Sequence, residues 1–181
     1  MKIIVLNGST RDNGNTEFLA RLAVEGKEAK IVNLKDMQIF PISDKRHDPQ
    51  GFQPLHDDYE TLIKTVLEYD AILFATPIYW YGMSGIMKNF IDRWSQSLRD
   101  KELNFKEKMK NKKAYVVACG GDEAKIKGLP LILQFKHIFE FMNMDFCGYV
   151  IGNGNSPGEV KNDHAACNEA RVLLEANPAQ H

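Results

Sequence analysis

The sequence contains no Cys-x-x-Cys pair, no apolar run long enough to cross a membrane, and no surplus of either charge. Each absence closes off a class of protein. The three cysteines, Cys119, Cys147 and Cys167, are too few and too scattered for a disulfide framework or a zinc site, and they suit a reducing compartment. A formal net charge of -1 provides no positive field to draw nucleic acid or an anionic membrane. Met1-Lys2 is followed by only a few apolar residues before Asn7, too short a run for a signal-peptide core, so a cytoplasmic location is expected. What is present, 44% hydrophobic and 26% charged residues, is ordinary globular composition. It suits one domain spanning residues 1–181 with a sizeable core.

Strand and helix patterns alternate along the chain. Lys2 to Leu6 is a β-branched and aliphatic run of the kind buried on both faces of a parallel sheet. Lys30 to Leu34, Ala71 to Ala75, Ala114 to Cys119 and Phe146 to Ile151 repeat that character. Between them, Phe18, Leu19, Leu22 and Ala23 recur at helical spacing, as do Met87, Phe90, Ile91 and Trp94 behind a capping Ser84. Asp57 and Glu60 have the spacing of a capping box ahead of Leu62, Ile63 and Val66. Residues 35 to 55, with Pro41, Pro49, Gly51 and Pro54, read as a long loop, and residues 95 to 112 as a charged, solvated connection. Leu129 to Met142 is apolar nearly all round, which predicts a helix deeply buried or covered by another subunit. A last helix is expected from Gly158 to Leu174, ended by Asn177-Pro178. The expected architecture is α/β: one doubly wound five-stranded parallel sheet with helices on both faces.

Ligands of open α/β sheets bind beyond the carboxyl ends of the strands, where strand order reverses. The segments after the first, third and fourth strands should therefore share a crevice: Gly8 to Thr16, Thr76 to Ser84, and Cys119 to Asp122. The first of these enters a helix near Asn15, and helix N-termini hold anions through their unpaired N–H groups. Gly8 and Gly14 allow close approach of a phosphate. Ser9, Thr10, Asn13, Asn15 and Thr16 bring side-chain donors, and Arg11 a charge. A P-loop is absent, because Gly14 is followed by Asn15 rather than lysine, and there is no Gly-x-Gly-x-x-Gly. The loop is equipped to hold a phosphate and not to transfer one.

The second segment reads TPIYWYGMSGIMKNFIDRW. Tyr79, Trp80 and Tyr81 between Pro77 and Gly82 place three aromatics at a strand end, with backbone that can approach a planar ring. A phosphate at one loop and a ring at the other describe a mononucleotide cofactor.

These two loops, with Gly120-Gly121 after the fourth strand and GNGNSPGE after the fifth, resemble the NAD(P)H-dependent FMN reductase family of flavodoxin-like proteins over nearly the whole chain. The resemblance implies a flavodoxin-like sheet of order 2-1-3-4-5. It implies FMN, its phosphate held by Ser9, Arg11, Asn13, Asn15, Thr16 and the intervening backbone of Thr10 and Gly14. The isoalloxazine is expected along Pro77, Ile78, Tyr79, Trp80, Tyr81, Gly82 and Met83, with Cys119, Gly120, Gly121 and Asp122 closing the other side. The iron–sulfur flavoprotein branch carries a cysteine cluster after the second strand; here IFPISDKRHDPQGFQPLHDD has none, so no iron–sulfur cluster is expected there. His47, His56, Asp44, Asp48 and Asp57 in that region read as a solvated loop rather than a metal site.

The activity so implied is hydride transfer from NAD(P)H to FMN and onward to a small acceptor. Quinones, flavins, ferric chelates, azo or nitro compounds and dioxygen are all open, as is the choice of NADH or NADPH. No side chain is assigned a catalytic role. Cys119 reads as a small buried hydrophobe, His137 and His164 as packing or surface residues, and Arg93 and Asp92 as structural or interface groups. The family forms homodimers and homotetramers, and the apolar excess over residues 129 to 142 points the same way. Two rivals remain: a flavodoxin-like FMN electron carrier that does not oxidise NAD(P)H, and a phosphate or nucleotide sensor.

Overall fold

The computed structural model describes residues 1–175. Its sheet has five parallel strands in the order β2-β1-β3-β4-β5: β1 (Ile3–Asn7), β2 (Ala29–Asn33), β3 (Ala71–Pro77), β4 (Lys113–Gly120) and β5 (Asp145–Asn153). β1 sits between β2 and β3, opposite Ala29 and Ala71 at Ile3 and opposite Asn33 and Ala75 at Asn7. The order reverses at β1, so the loops after β1 and β3 leave the sheet on opposite sides of one crevice.

Side chains alternate across the sheet and meet two cores. On one face, Ile4, Leu6, Ile72, Phe74 and Val116 are covered by α2 (Tyr59–Leu67), α3 (Gly85–Asp92), α4 (Trp94–Ser97) and α7 (Leu129–Met142). Phe74 is the hub, with its ring centroid 6.2 Å from Trp94, 5.4 Å from Phe135 and 5.2 Å from Phe139. Each such buried side chain contributes about 1.5–3 kcal/mol over its exposed state. On the other face, Ile3, Val5, Leu73, Tyr115 and Val117 meet α1 (Asn15–Ala23) and α8 (His164–Val172).

Four sequence expectations need correction. Asp57 and Glu60 form no capping box: the cap of α2 is Asp58, with no side-chain hydrogen bond. Asp57 is also no part of a solvated loop. Its Oδ2 accepts from Arg93 Nη1 at 2.6 Å and from the Phe40 N–H at 3.0 Å, and both charged side chains are buried. The stretch from 95 to 112 is not a mere solvated connection: it buries Ser97 of α4, Leu103 in the turn that follows, and Phe105 and Met109 of α5 (Phe105–Met109). The charged residues there lie in the turns and on the outer face of α5. The final helix is broken at Asp163, whose side chain caps α8 through the Ala166 N–H after a 3-10 turn over Glu159–Asn162. Asn177-Pro178 lies outside the described residues.

Other expectations hold. Ser84 caps α3, accepting from the Met87 N–H, and α7 runs over Leu129–Met142 as its composition predicts. It buries Leu131, Ile132, Phe135, Phe139 and Met142, while Leu129, Leu133 and Phe141 remain exposed. No described helix is long and apolar enough to cross a membrane.

Candidate functional site

Gly8 continues β1 by donating its N–H to Ala75 O at 2.7 Å, and the chain then turns back toward α1. Asn7 directs this turn. Its Nδ2 donates to Asn33 Oδ1 at 3.1 Å, and its Oδ1 accepts the Ser9 N–H at 3.1 Å. Ser9 Oγ in turn accepts the Arg11 N–H at 3.2 Å. Gly14 occupies the cap position of α1, and no side chain caps it. The first-turn N–H groups of α1 therefore face outward with the positive end of the helix dipole.

The neighbouring loop is fixed to this one. Ser84 Oγ donates to Gly8 O at 2.7 Å, and the Ser84 N–H donates to Thr76 Oγ1 at 2.9 Å. A Cβ on Gly8 would lie 2.9 Å from Ser84 Oγ and 3.1 Å from Met87, so a side chain there would push the two loops apart.

The result is a crevice of about 150 Å³ lined by Ser9, Arg11, Gly14, Asn15, Thr16, Pro77, Ile78, Tyr79, Cys119, Gly120, Gly121, Gly154 and Asn155. All three segments singled out in the sequence converge on it. Gly154 and Asn155 are additions, and the only hint of them was the glycine-rich GNGNSPGE run. Asn155 packs against Gly121, where a Cβ would come within 2.7 Å, and its carbonyl accepts from Arg11 Nη1 at 3.1 Å.

Not every predicted residue reaches the crevice. Thr10 and Asn13 are exposed on the outer side of the loop, Asn13 in a left-handed conformation with its N–H given to Glu17. The Asn15 amide is engaged internally, donating to Ser156 O at 2.9 Å and accepting from the Val160 N–H at 3.4 Å. Its side chain ties the loop after β5 to α1, so Asn15 offers the crevice its backbone. Met83 is buried in the core below.

A second cleft of about 160 Å³ adjoins the first through Ile78, Gly120 and Gly121. It is completed by Trp80, Tyr81, Asp122 and three residues the sequence did not single out, Ala124, Lys127 and Gly128. Lys127 and Ala124 come from α6 (Ala124–Lys127). Tyr81 donates its hydroxyl to Asp122 Oδ2 at 2.8 Å, and Lys127 Nζ donates to Asp122 Oδ1 at 2.7 Å. The bonds from Lys127 and then Tyr81 hold the Asp122 carboxyl below its usual range, and the bond to Asp122 pushes the Tyr81 hydroxyl up. At neutral pH the bridge is therefore a phenol donating to a carboxylate.

Residues 79 to 82 form a two-residue hairpin turn, with the Tyr79 N–H donating to Gly82 O and the Gly82 N–H to Tyr79 O, both at 3.0 Å. Its central residues Trp80 and Tyr81 have φ of 49° and 63°, the signature of a type I′ turn, which Asn-Gly fills without strain. An L-residue with a large side chain pays roughly 1–2 kcal/mol to stand there. Among the described residues, positive φ outside glycine falls on four asparagines and on Trp80, Tyr81 and Glu123. The three that are not asparagine all flank this cleft.

Cys119 contributes backbone rather than a reactive thiol. Its Sγ is buried and donates to Gly154 O at 3.7 Å. Burial, then the charges of Asp163 and Glu159, push the thiol up to about 12. Among the described residues, no group of three or more His, Cys, Asp or Glu is placed to hold a metal.

The model of one protein family, described as NADPH-dependent FMN reductase, matches residues 1–159. YwqN of Bacillus subtilis, provisionally named an NAD(P)H-dependent FMN-containing oxidoreductase, is 54% identical over 180 residues, 99% of each chain. The iron-sulfur flavoprotein MJ1083 of Methanocaldococcus jannaschii is 31% identical, covering 96% of this chain and 93% of its own. A solved structure described as Trp repressor binding protein from Bacillus subtilis matches with a TM-score of 0.81 and 51% identity. It covers 95% of this chain and 99% of that one.

Proposed function

The chain belongs to the NADPH-dependent FMN reductase family, and on that premise we propose that the first crevice holds FMN, its ring reaching the wall shared with the second cleft, and that the site serves hydride transfer from NAD(P)H to a small diffusible acceptor. The protein is an NAD(P)H-dependent FMN reductase-type oxidoreductase; the acceptor class and the residues doing the work are the proposal. The observation that carries it is the convergence of three strand-end loops on one crevice, with an uncapped helix N-terminus at its phosphate end.

The donor set fits the cofactor. A dianionic phosphate matches the first-turn N–H groups of α1, the Ser9 and Thr16 side chains and the Arg11 guanidinium. A flat ring matches the floor of Ile78, Gly120 and Gly121, where glycine lets backbone approach, with Pro77, Tyr79 and the Cys119 backbone beside it. When bound, FMN supplies the redox chemistry, accepting hydride and releasing its electrons to the acceptor. The chain's own part is to hold the phosphate, orient the ring and leave one face open. No side chain has to move a proton, in keeping with the buried, protonated thiol of Cys119.

The connection between β2 and α2 has no cysteine, which supports FMN working without an iron–sulfur partner. Free quinones, flavins, ferric chelates, azo and nitro compounds then become the natural acceptors. The exposed apolar side chains of Ile126 on α6 and of Leu129, Leu133 and Phe141 on α7 support a homodimer or homotetramer.

The test is the flavin content of the purified protein, followed by anaerobic titration with NADH and NADPH. Bleaching of the 450 nm flavin band is the expected result. Bound flavin that stays oxidised for hours would make the chain an electron carrier instead, and a colourless protein not stabilised by FMN would remove the flavoenzyme reading.

A further inference from the structure

We infer that Trp80 is a stacking platform for a flat aromatic electron acceptor, separate from the groups that hold the cofactor. The inference rests on the flavoenzyme reading above and adds a ligand-selecting residue to it.

Two features of Trp80 oppose folding, and neither is explained by stability. Its side chain is 96% exposed, while the chain's other tryptophan, Trp94, is 4% exposed in the core. Its backbone is left-handed at the tip of the Tyr79–Gly82 turn, where asparagine or glycine would sit without strain. An indole held in solvent on a strained turn gains nothing from the rest of the protein, and strain of this kind gathers at ligand sites.

What it faces is informative. Trp80 lines the second cleft, whose wall of Ile78, Gly120 and Gly121 is shared with the cofactor crevice and whose remaining apolar lining is Ala124 and Gly128. One edge of that cleft is polar, where the Tyr81 hydroxyl, the Asp122 carboxylate and the Lys127 ammonium are joined. A planar aromatic ring carrying carbonyl, nitro or azo groups suits this shape: face to the indole, polar substituents to the Tyr81–Lys127 edge. The cleft joins the cofactor crevice at Ile78, Gly120 and Gly121, which puts such a ring beside the cofactor. The side chains proposed above to hold the phosphate, Ser9, Arg11 and Thr16, line the first crevice, and Trp80 does not.

The test compares the FMN-loaded wild type with Trp80→Asn and Trp80→Phe, using anthraquinone-2-sulfonate as a flat acceptor and ferricyanide as one that cannot stack. Trp80→Asn should lower the ratio of kcat/KM for anthraquinone-2-sulfonate to that for ferricyanide by roughly fivefold, the scale of one aromatic contact. Trp80→Phe should recover most of it. Calorimetric binding of anthraquinone-2-sulfonate to oxidised protein should weaken in parallel, a readout that needs no turnover. Because asparagine fits the turn, Trp80→Asn should also melt about 2 °C higher. An unchanged ratio would overturn the inference. So would a large rise in the FMN dissociation constant, which would return Trp80 to the cofactor site, or a shift from dimer to monomer with acceptor selectivity intact, which would make it an interface residue. A wild type that binds no anthraquinone-2-sulfonate overturns it as well, whereas a wild type that binds it but is not reduced by NAD(P)H fails only the flavoenzyme reading.

Discussion

Arg93 and Asp57 form an ion pair of 2.6 Å with both side chains buried, and the arginine also lies over the Tyr59 ring, 4.4 Å from its centroid. The pair fastens the long connection before α2 to the end of α3, since Arg93 also donates to Phe40 O. Asp57→Ala would leave the guanidinium buried without its partner, a loss of about 3–5 kcal/mol. At about 2–4 °C per kcal/mol for a domain of this size, the melting temperature should fall by roughly 10 °C. Asp57→Ala with Arg93→Met should lose less than the sum of the single changes, measured by denaturant titration.

The same pair sets an acid limit. Burial alone would raise the Asp57 carboxyl, but the bonds from Arg93 and from the Phe40 and Tyr59 N–H groups outweigh it and hold the carboxyl low. A carboxyl lowered on folding stabilises the protein fully above its unfolded value near pH ~4, and the contribution is lost as pH falls through the lower folded value. Melting temperature should thus drop more steeply below pH ~4 in the wild type than in the double variant.

Arg11 is exposed, and its one described side-chain bond is to the Asn155 carbonyl. Arg11→Ala should therefore raise the FMN dissociation constant about tenfold, the value of a charge-assisted hydrogen bond, and leave the melting temperature of the cofactor-free protein within a degree or so. Quenching of FMN fluorescence on binding reads the first, and thermal denaturation the second.

All three cysteines are buried, and burial pushes the Cys119 and Cys147 thiols up. A thiol-reactive disulfide reagent at pH 8 should label the native chain about tenfold more slowly than the urea-unfolded chain. A fast-reacting thiol in the native protein would return Cys119 to consideration as a redox group.

Leu133 and Phe141 lie exposed on α7, two turns apart on the same face. Replacing both with glutamate should convert the expected dimer or tetramer to monomer in size-exclusion with light scattering. A wild type that is monomeric at micromolar concentration would remove the proposal of self-association.

The crevice was legible in the sequence because its walls are made by strand ends, and strand ends announce themselves with glycine and proline. Gly8, Pro77 and Gly120 mark the three exits, and a parallel sheet leaves such loops on one edge. Less was legible where a residue's partner lies far along the chain. Asp57 looked like a helix cap because Glu60 stands three residues on, whereas its actual partner is Arg93. Asn15 looked like a phosphate donor because nothing nearby shows that Ser156 and Val160 occupy its amide. The turn at Trp80 and Tyr81 was hidden for the opposite reason: tryptophan and tyrosine are not turn formers, so local preference points away from the conformation found.

The open N-terminus of α1 has a consequence beyond the geometry of binding. Donors left for an outside anion make that anion part of what holds the fold together, because it binds the native chain and not the unfolded one. With FMN as the anion, a free concentration one hundred times the dissociation constant adds about 2.7 kcal/mol to stability. Cofactor supply would then govern how much of this protein escapes proteolysis, so that flavin scarcity thins the enzyme population as well as slowing each molecule.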